Sequence, residues 1–204
     1  MANITPLAMI RNLAFLVSVL VLAFGLSGCG VNNIPTYEEN AKAKWSQVLN
    51  QYQRRSDLIP NLVKTVKGFA AHEKDVLTSV VNARAKATSL NLPAGAAPTA
   101  EQLQKLQAVQ GQLSGALSKL LLVVERYPDL KSNQNFLQLQ TALEGTENRI
   151  GVARRDYIEA VKTYNTELKT IPGRWWKQAM YPTNEPLPTF TVEKEKMAVP
   201  EVKF

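Results

Sequence analysis

Cys29 is the single cysteine of a 204-residue chain, and it closes the tetrad Leu26-Ser27-Gly28-Cys29 after an apolar run that follows Arg11. A short basic start, an apolar stretch and small residues before a cut site are what secretory signal peptidases recognise. A cysteine directly after the cut accepts a diacylglycerol thioether, so the spacing predicts cleavage after Gly28 and a lipid on Cys29. The thiol is then consumed as an anchor, and no intrachain disulfide, thiolate nucleophile or cysteine metal ligand remains. The competing reading is an uncleaved membrane span. Residues 12–31 carry no charge over about 20 residues, the length a helix needs to cross a bilayer, although the densest apolar part is only about 14 residues and suits a signal peptide better. In both readings Arg11 is the only positive side chain ahead of the run, which places the rest of the chain outside the cytoplasm. Gly30 after Cys29 permits outer-membrane sorting in a host with two membranes.

His72-Glu73 looks like half of a zincin helix. That helix needs a second histidine one turn on, at position 76, and Val76 is there. His72 is the only histidine, so a His-based triad and an all-protein catalytic zinc site have no ligands to draw on. There is no Gly-rich phosphate loop, no nucleophile elbow and no Glu-x-x-His for a di-iron bundle. The expectation is a protein without enzymatic activity, metal or cofactor. The net charge of +7, about +6 once Arg11 leaves with the signal, is spread over helical faces among acidic residues. That pattern describes a solvated surface and lacks the dense basic cluster with aromatics that nucleic acid requires.

Two polar runs flank the apolar stripes: Arg54-Arg55-Ser56-Asp57, with Pro60-Asn61 following, and Thr146-Glu147-Asn148-Arg149, with Arg154-Arg155 following. An arginine can take a carboxylate of a neighbouring helix bidentately, which fixes the register that a uniform apolar seam leaves slippery. Glu73 falls on the seam by heptad count, and is read as solvated after a helix rotation rather than as a buried acid.

The elements that must position these groups follow from spacing. Trp45, Leu49, Tyr52, Ser56, Ile59, Val63, Val66, Ala70, Glu73, Leu77, Val80 and Arg84 alternate steps of four and three, a heptad stripe that keeps phase across Pro60. One kinked rod is expected, or two collinear helices if the chain breaks at Pro60, with Asp57 as a local cap. Thr99-Ala100-Glu101-Gln102 reads as a capping box opening a second helix, with Leu103, Leu106, Gln110, Leu113, Leu117, Leu120, Val124 and Tyr127 as its seam and Pro128 as its stop. A third helix begins near Ser132 and carries Phe136, Leu139, Leu143, Thr146, Ile150, Ala153, Tyr157, Ala160, Tyr164, Leu168 and Ile171. A short fourth covers 174–181, where Trp175-Trp176 supplies aromatic surface to cap the bundle or to meet a membrane interface. The expected fold is all-α, an elongated antiparallel up-and-down bundle of three long helices plus a short fourth, or four if the first breaks at Pro60. Residues 1–28 are read as signal or anchor, 29–36 as tether, 37–181 as bundle, and 182–204 as an irregular, mobile, Pro-rich tail.

The stretch from Arg54 to Phe69, RRSDLIPNLVKTVKGF, then His72-Glu73 and Ala83-Arg84, closely resembles the signature of the LemA family. Tyr127-Pro128-Asp129-Leu130-Lys131, Asn133, Phe136, Thr146-Glu147-Asn148-Arg149-Ile150, Ala153-Arg154-Arg155, Tyr157 and Tyr164-Asn165 extend the resemblance in the same order over about residues 37–172. The resemblance implies an antiparallel four-helix bundle on an N-terminal membrane anchor in bacteria, and it implies no particular reaction. The chain differs from the family pattern in offering a lipobox where relatives keep an uncleaved span, and in its Trp-Trp pair and Pro-rich tail. The functional expectation is a membrane-tethered scaffold or docking partner for another envelope protein. A small-ligand or lipid-binding sensor with a cavity in the bundle is the alternative, and long heptad stripes are compatible with a homo-oligomer.

Overall fold

The computed structural model describes residue 12 and residues 15–18, 30–92 and 95–191. Cys29 and the predicted cleavage site lie outside the described residues, as does the tail beyond Thr191. Among the described residues no helix is long and apolar enough to cross a membrane. The ordered elements are α-helices: α1 Asn33–Phe69, α2 Lys74–Thr88, α3 Ala100–Val124, the single turn α4 Pro128–Lys131, α5 Gln134–Glu167 and α6 Gly173–Met180.

The first helix corrects the expectation of a rod running to Arg84. It passes through Pro60 without interruption, and the chain breaks instead at 70–73, where Ala70 leaves helical geometry at φ −129° and ψ 50°. Pro60 removes the amide that would have bonded the Ser56 carbonyl. Arg84 replaces it, donating from Nε to Ser56 O at 2.8 Å. The location of the break follows from partner length. α1 has 37 residues and α5 has 34, so the two bury one another end to end. A rod continuing to residue 88 would carry its apolar stripe past the end of α5 into water. By turning back, α2 buries Leu77, Val80, Ala83 and Ala87 against α1 and α3.

Contacts along α1 ascend while those along α5 descend. Asn33 bonds Glu167, Lys44 bonds Asp156, Arg55 bonds Glu147, and α1 and α5 therefore run in opposite directions. α3 begins with the capping box the sequence indicates, Gln102 N to Thr99 Oγ1 at 3.1 Å and Thr99 N to Gln102 Oε1 at 2.8 Å. It ends at Val124, a turn before Pro128, because Pro128 instead opens α4. Asn133 then caps α5 through Phe136 N at 3.1 Å.

The apolar interior falls into three stacked zones. Ile34, Tyr164 and Leu168 form the zone nearest residue 30, Trp45, Tyr52, Leu103, Leu106, Ile150 and Tyr157 the middle, and Leu62, Val66, Leu77, Val80, Leu113, Leu120, Val124 and Phe136 the far end. Between Pro182 and Thr191 the backbone is neither helix nor strand, yet it is fastened along its length. Asn165 exchanges two hydrogen bonds with Leu187, Tyr157 donates to Pro188 O, and Gln107 donates to Thr191 O. Phe190 is buried with its ring 6.2 Å from Trp45 and 5.7 Å from Tyr157. Composition shows the absence of a helix in this stretch but not the one aromatic anchor that enters the core.

Candidate functional site

Of the Arg54–Asp57 run α1 turns Arg55 and Ser56 inward, and at 2% exposure Arg55 is the most buried cation described. Its Nη1 donates to Glu147 Oε2 of α5 at 2.6 Å and to Ser114 Oγ of α3 at 3.1 Å. Its Nη2 donates to Gln110 Oε1 of α3, and Nε has no hydrogen-bond partner among the described residues. The Tyr52 ring lies beneath the guanidinium, 5.5 Å from Cζ. One cation thus ties three helices together. The carboxylate is met through a single Nη rather than by a bidentate fork, because the other edge of the guanidinium is held by Gln110.

The arrangement is electrostatically lopsided. Arg55 is removed from water while the Glu147 side chain remains 58% exposed. The carboxylate keeps much of its hydration, and the uncharged acceptors of α3 carry the rest of the desolvation cost of the guanidinium. Burial pushes the Tyr52 phenol above its ordinary pKa, with the charges of Arg154 and Arg55 pulling the other way. Above the cluster lies a groove of about 260 Å³ lined by Arg55, Arg154, Glu147, Gln107, Ser114 and Thr191 among others. Arg154 stacks on Phe190, 4.4 Å from Cζ to the ring centroid, so the 182–191 strap forms part of the groove wall.

The remaining polar residues of the sequence motifs disperse. Arg149 donates to Thr146 Oγ1 at 2.9 Å and to Gln51 Oε1 at 3.3 Å. Asp57 accepts from Gln53 one turn earlier, and Arg54, Asn148 and Arg155 project from the exterior. Pro60 is exposed on α1, and Asn61 lines a shallow depression with Lys64 and Asn133. Glu73 is neither a seam residue nor freely solvated: it stands in the α1–α2 break, accepting from Arg126 at 2.8 Å and Tyr127 at 3.1 Å, which raises the Tyr127 pKa. His72 is exposed in the same break. Among the described residues no three His, Cys, Asp or Glu side chains converge as metal ligands would. Sequence reasoning missed Ser114, Gln107 and Phe190. Gln110 carried a signal, being the polar occupant of an otherwise apolar α3 seam.

Long helices tied together by a buried cation, with its acceptors on two neighbours, define an all-helical class of protein. The family profile described as LemA family matches residues 44–204, and the chain belongs to the LemA family. It is similar to magnetosome protein MamQ 2 of Paramagnetospirillum magneticum, 29% identical over 160 residues, which covers 71% of this chain and 59% of that protein. Magnetosome protein MamQ of Magnetospirillum gryphiswaldense is 27% identical over 157 residues, 69% of this chain and 58% of its own length. Protein LemA of Metamycoplasma hominis is 22% identical over 119 residues, covering 58% and 50%. The chain thus spans little more than half the length of these relatives.

Proposed function

We propose that the chain is a non-enzymatic, lipid-anchored stalk of the bacterial envelope, an antiparallel up-and-down bundle whose exterior docks other envelope proteins. The observation that carries this reading is the filled interior. Leu62, Val66 and Leu77 pack with Leu113, Leu120, Val124 and Phe136, with Val63, Leu139 and Leu143 closing over them, so the seam is occupied by its own side chains. The surface is then what remains for recognition, and it exposes Val81, Leu122, Leu137, Val152 and Ile158 along several helices. The MamQ relatives, named for an assembly and not for a reaction, favour the same reading. In this account Cys29 carries the lipid, the bundle lies outside the cytoplasm, and outer-membrane residence follows where the host has one.

Cross-linking in intact cells tests the docking role. One discrete partner is captured, and Arg54→Glu or Arg155→Glu on the exterior reduces the yield. Reproducible absence of any partner overturns the docking role, and a yield indifferent to both substitutions removes those positions from it. A second reading, a small-ligand sensor, is favoured by the groove over Arg55, where a buried guanidinium with an unpartnered Nε adjoins Arg154 and Ser114. Calorimetric titration with small carboxylates would distinguish it, since a docking stalk releases no heat.

A further inference from the structure

We propose that the end of the bundle formed by residues 169–180 is a second membrane contact, a foot that rests on an anionic phospholipid surface beside the anchor. The inference rests on the tether reading above and adds to it a surface and a partner.

Three observations converge on this end. The first is position. A methyl group on Gly30 would lie 3.6 Å from Pro172 Cγ, and Asn33 bonds Glu167 at 3.2 Å. The point where the apolar run of residues 12–31 gives way to α1 is thus in contact with the turn that starts α6. A lipid carried on Cys29 is bonded one residue before Gly30, and so close to the start of α6. The second is exposed apolar surface. Ile171, Trp175 and Met180 are 65%, 60% and 57% exposed, while the neighbouring Trp176 turns inward against the zone of Ile34, Tyr164 and Leu168. Tryptophan exposed at this level is the side chain that membrane–water interfaces enrich, because an apolar ring with one polar edge suits the headgroup depth. The third is charge. Lys169, Arg174 and Lys177 line a shared concavity of about 620 Å³ with Leu168, Gln178 and Pro182. The segment 169–180 contains no acidic residue, and Glu185 reaches Lys177 only at 3.7 Å. Cations around a hollow next to an exposed indole match the phosphates and acyl boundary of an anionic leaflet.

Gly173 holds the foot in place. Any Cβ there would meet the Glu167 carbonyl oxygen at 2.2 Å, so only glycine lets α6 press against the end of α5.

The protein purified with its anchor and reconstituted into vesicles of phosphatidylcholine with phosphatidylglycerol, brominated in the acyl chains, tests this directly. The chain has three tryptophans, of which Trp45 is fully buried. Bromine quenches the emission of the wild type, and Trp175→Phe removes that quenching with helicity unchanged. Neutralising Lys169, Arg174 and Lys177 to glutamine lowers the ratio of docked to undocked foot about fivefold per charge, and pure phosphatidylcholine mimics that loss. Protein that floats with vesicles but shows equal emission with and without bromine leaves the tether standing and overturns the foot. Shielding of Trp175 from aqueous iodide without bromine quenching assigns the patch to a second copy or another protein, and equally overturns it. Failure to float overturns tether and foot together.

Discussion

Arg84 and Pro60 show how a residue pair twenty-four positions apart can act as one. The proline leaves the Ser56 carbonyl without a helical donor, and the guanidinium supplies one from a different helix. Arg84→Ala is therefore expected to lower stability by about 1–3 kcal/mol, the range for a buried acceptor losing its partner. In a Pro60→Ala background, where the backbone amide returns, most of that cost disappears. Denaturant unfolding of the four proteins of the cycle measures it, and strict additivity would refute the coupling. Arg55 makes a parallel case. Its removal strands Glu147, Gln110 and Ser114 together, so Arg55→Ala costs about 3 kcal/mol. Glu147→Gln costs less, since water already reaches that carboxylate. Arg55 was legible as a register device and Arg84 only as the end of the heptad stripe, and the partners of neither were legible. Ser114 and the Ser56 carbonyl have no sequence signature, and Gln110 reads as one imperfection in a stripe.

The helices themselves were largely legible, because a 3.5-residue apolar repeat needs a long neighbour and little else specifies it. What the repeat cannot show is where a stripe runs out of partner. The heptad phase continues from Trp45 through Leu77 to Arg84, yet the chain turns at 70–73 because α5 ends there. The strap 182–191 was illegible for a related reason: one Phe190 among prolines contributes nothing to periodicity but fills the space between Trp45 and Tyr157. Phe190→Ala is expected to lower the thermal midpoint and to expose 182–191 to limited proteolysis while the helical content persists. Gly173→Ala forces a clash with the Glu167 carbonyl and costs about 1–3 kcal/mol by overpacking, readable in the same melt. The buried tyrosines set the alkaline limit. Burial raises the pKa of Tyr157, Tyr164 and Tyr52, so above pH about 10 the unfolded chain gives up protons that the folded chain retains. Stability is full below that value and falls as pH rises through the interval up to the folded pKa values. Tyr157→Phe loses its bond to Pro188 and about 1 kcal/mol near neutrality, but declines less steeply with pH.

At the scale of the whole molecule, a bundle about 55 Å long can hold a docking surface well clear of the lipid that anchors it. The basic excess of +7 is not a general lipid attractant on this view, since most of it is interleaved with acids along the helices. The stretch 169–180, next to residue 30, carries Lys169, Arg174 and Lys177 with no acidic residue among them. The role proposed for the molecule requires that the front of the chain be fastened through a lipid on Cys29, to which the Leu26-Ser27-Gly28-Cys29 tetrad pointed. Mass spectrometry of the intact protein purified from membranes tests this most directly. The account predicts a mature chain that begins at residue 29 and carries a thioether-linked diacylglycerol. A chain that retains Met1 with an unmodified Cys29 would contradict it.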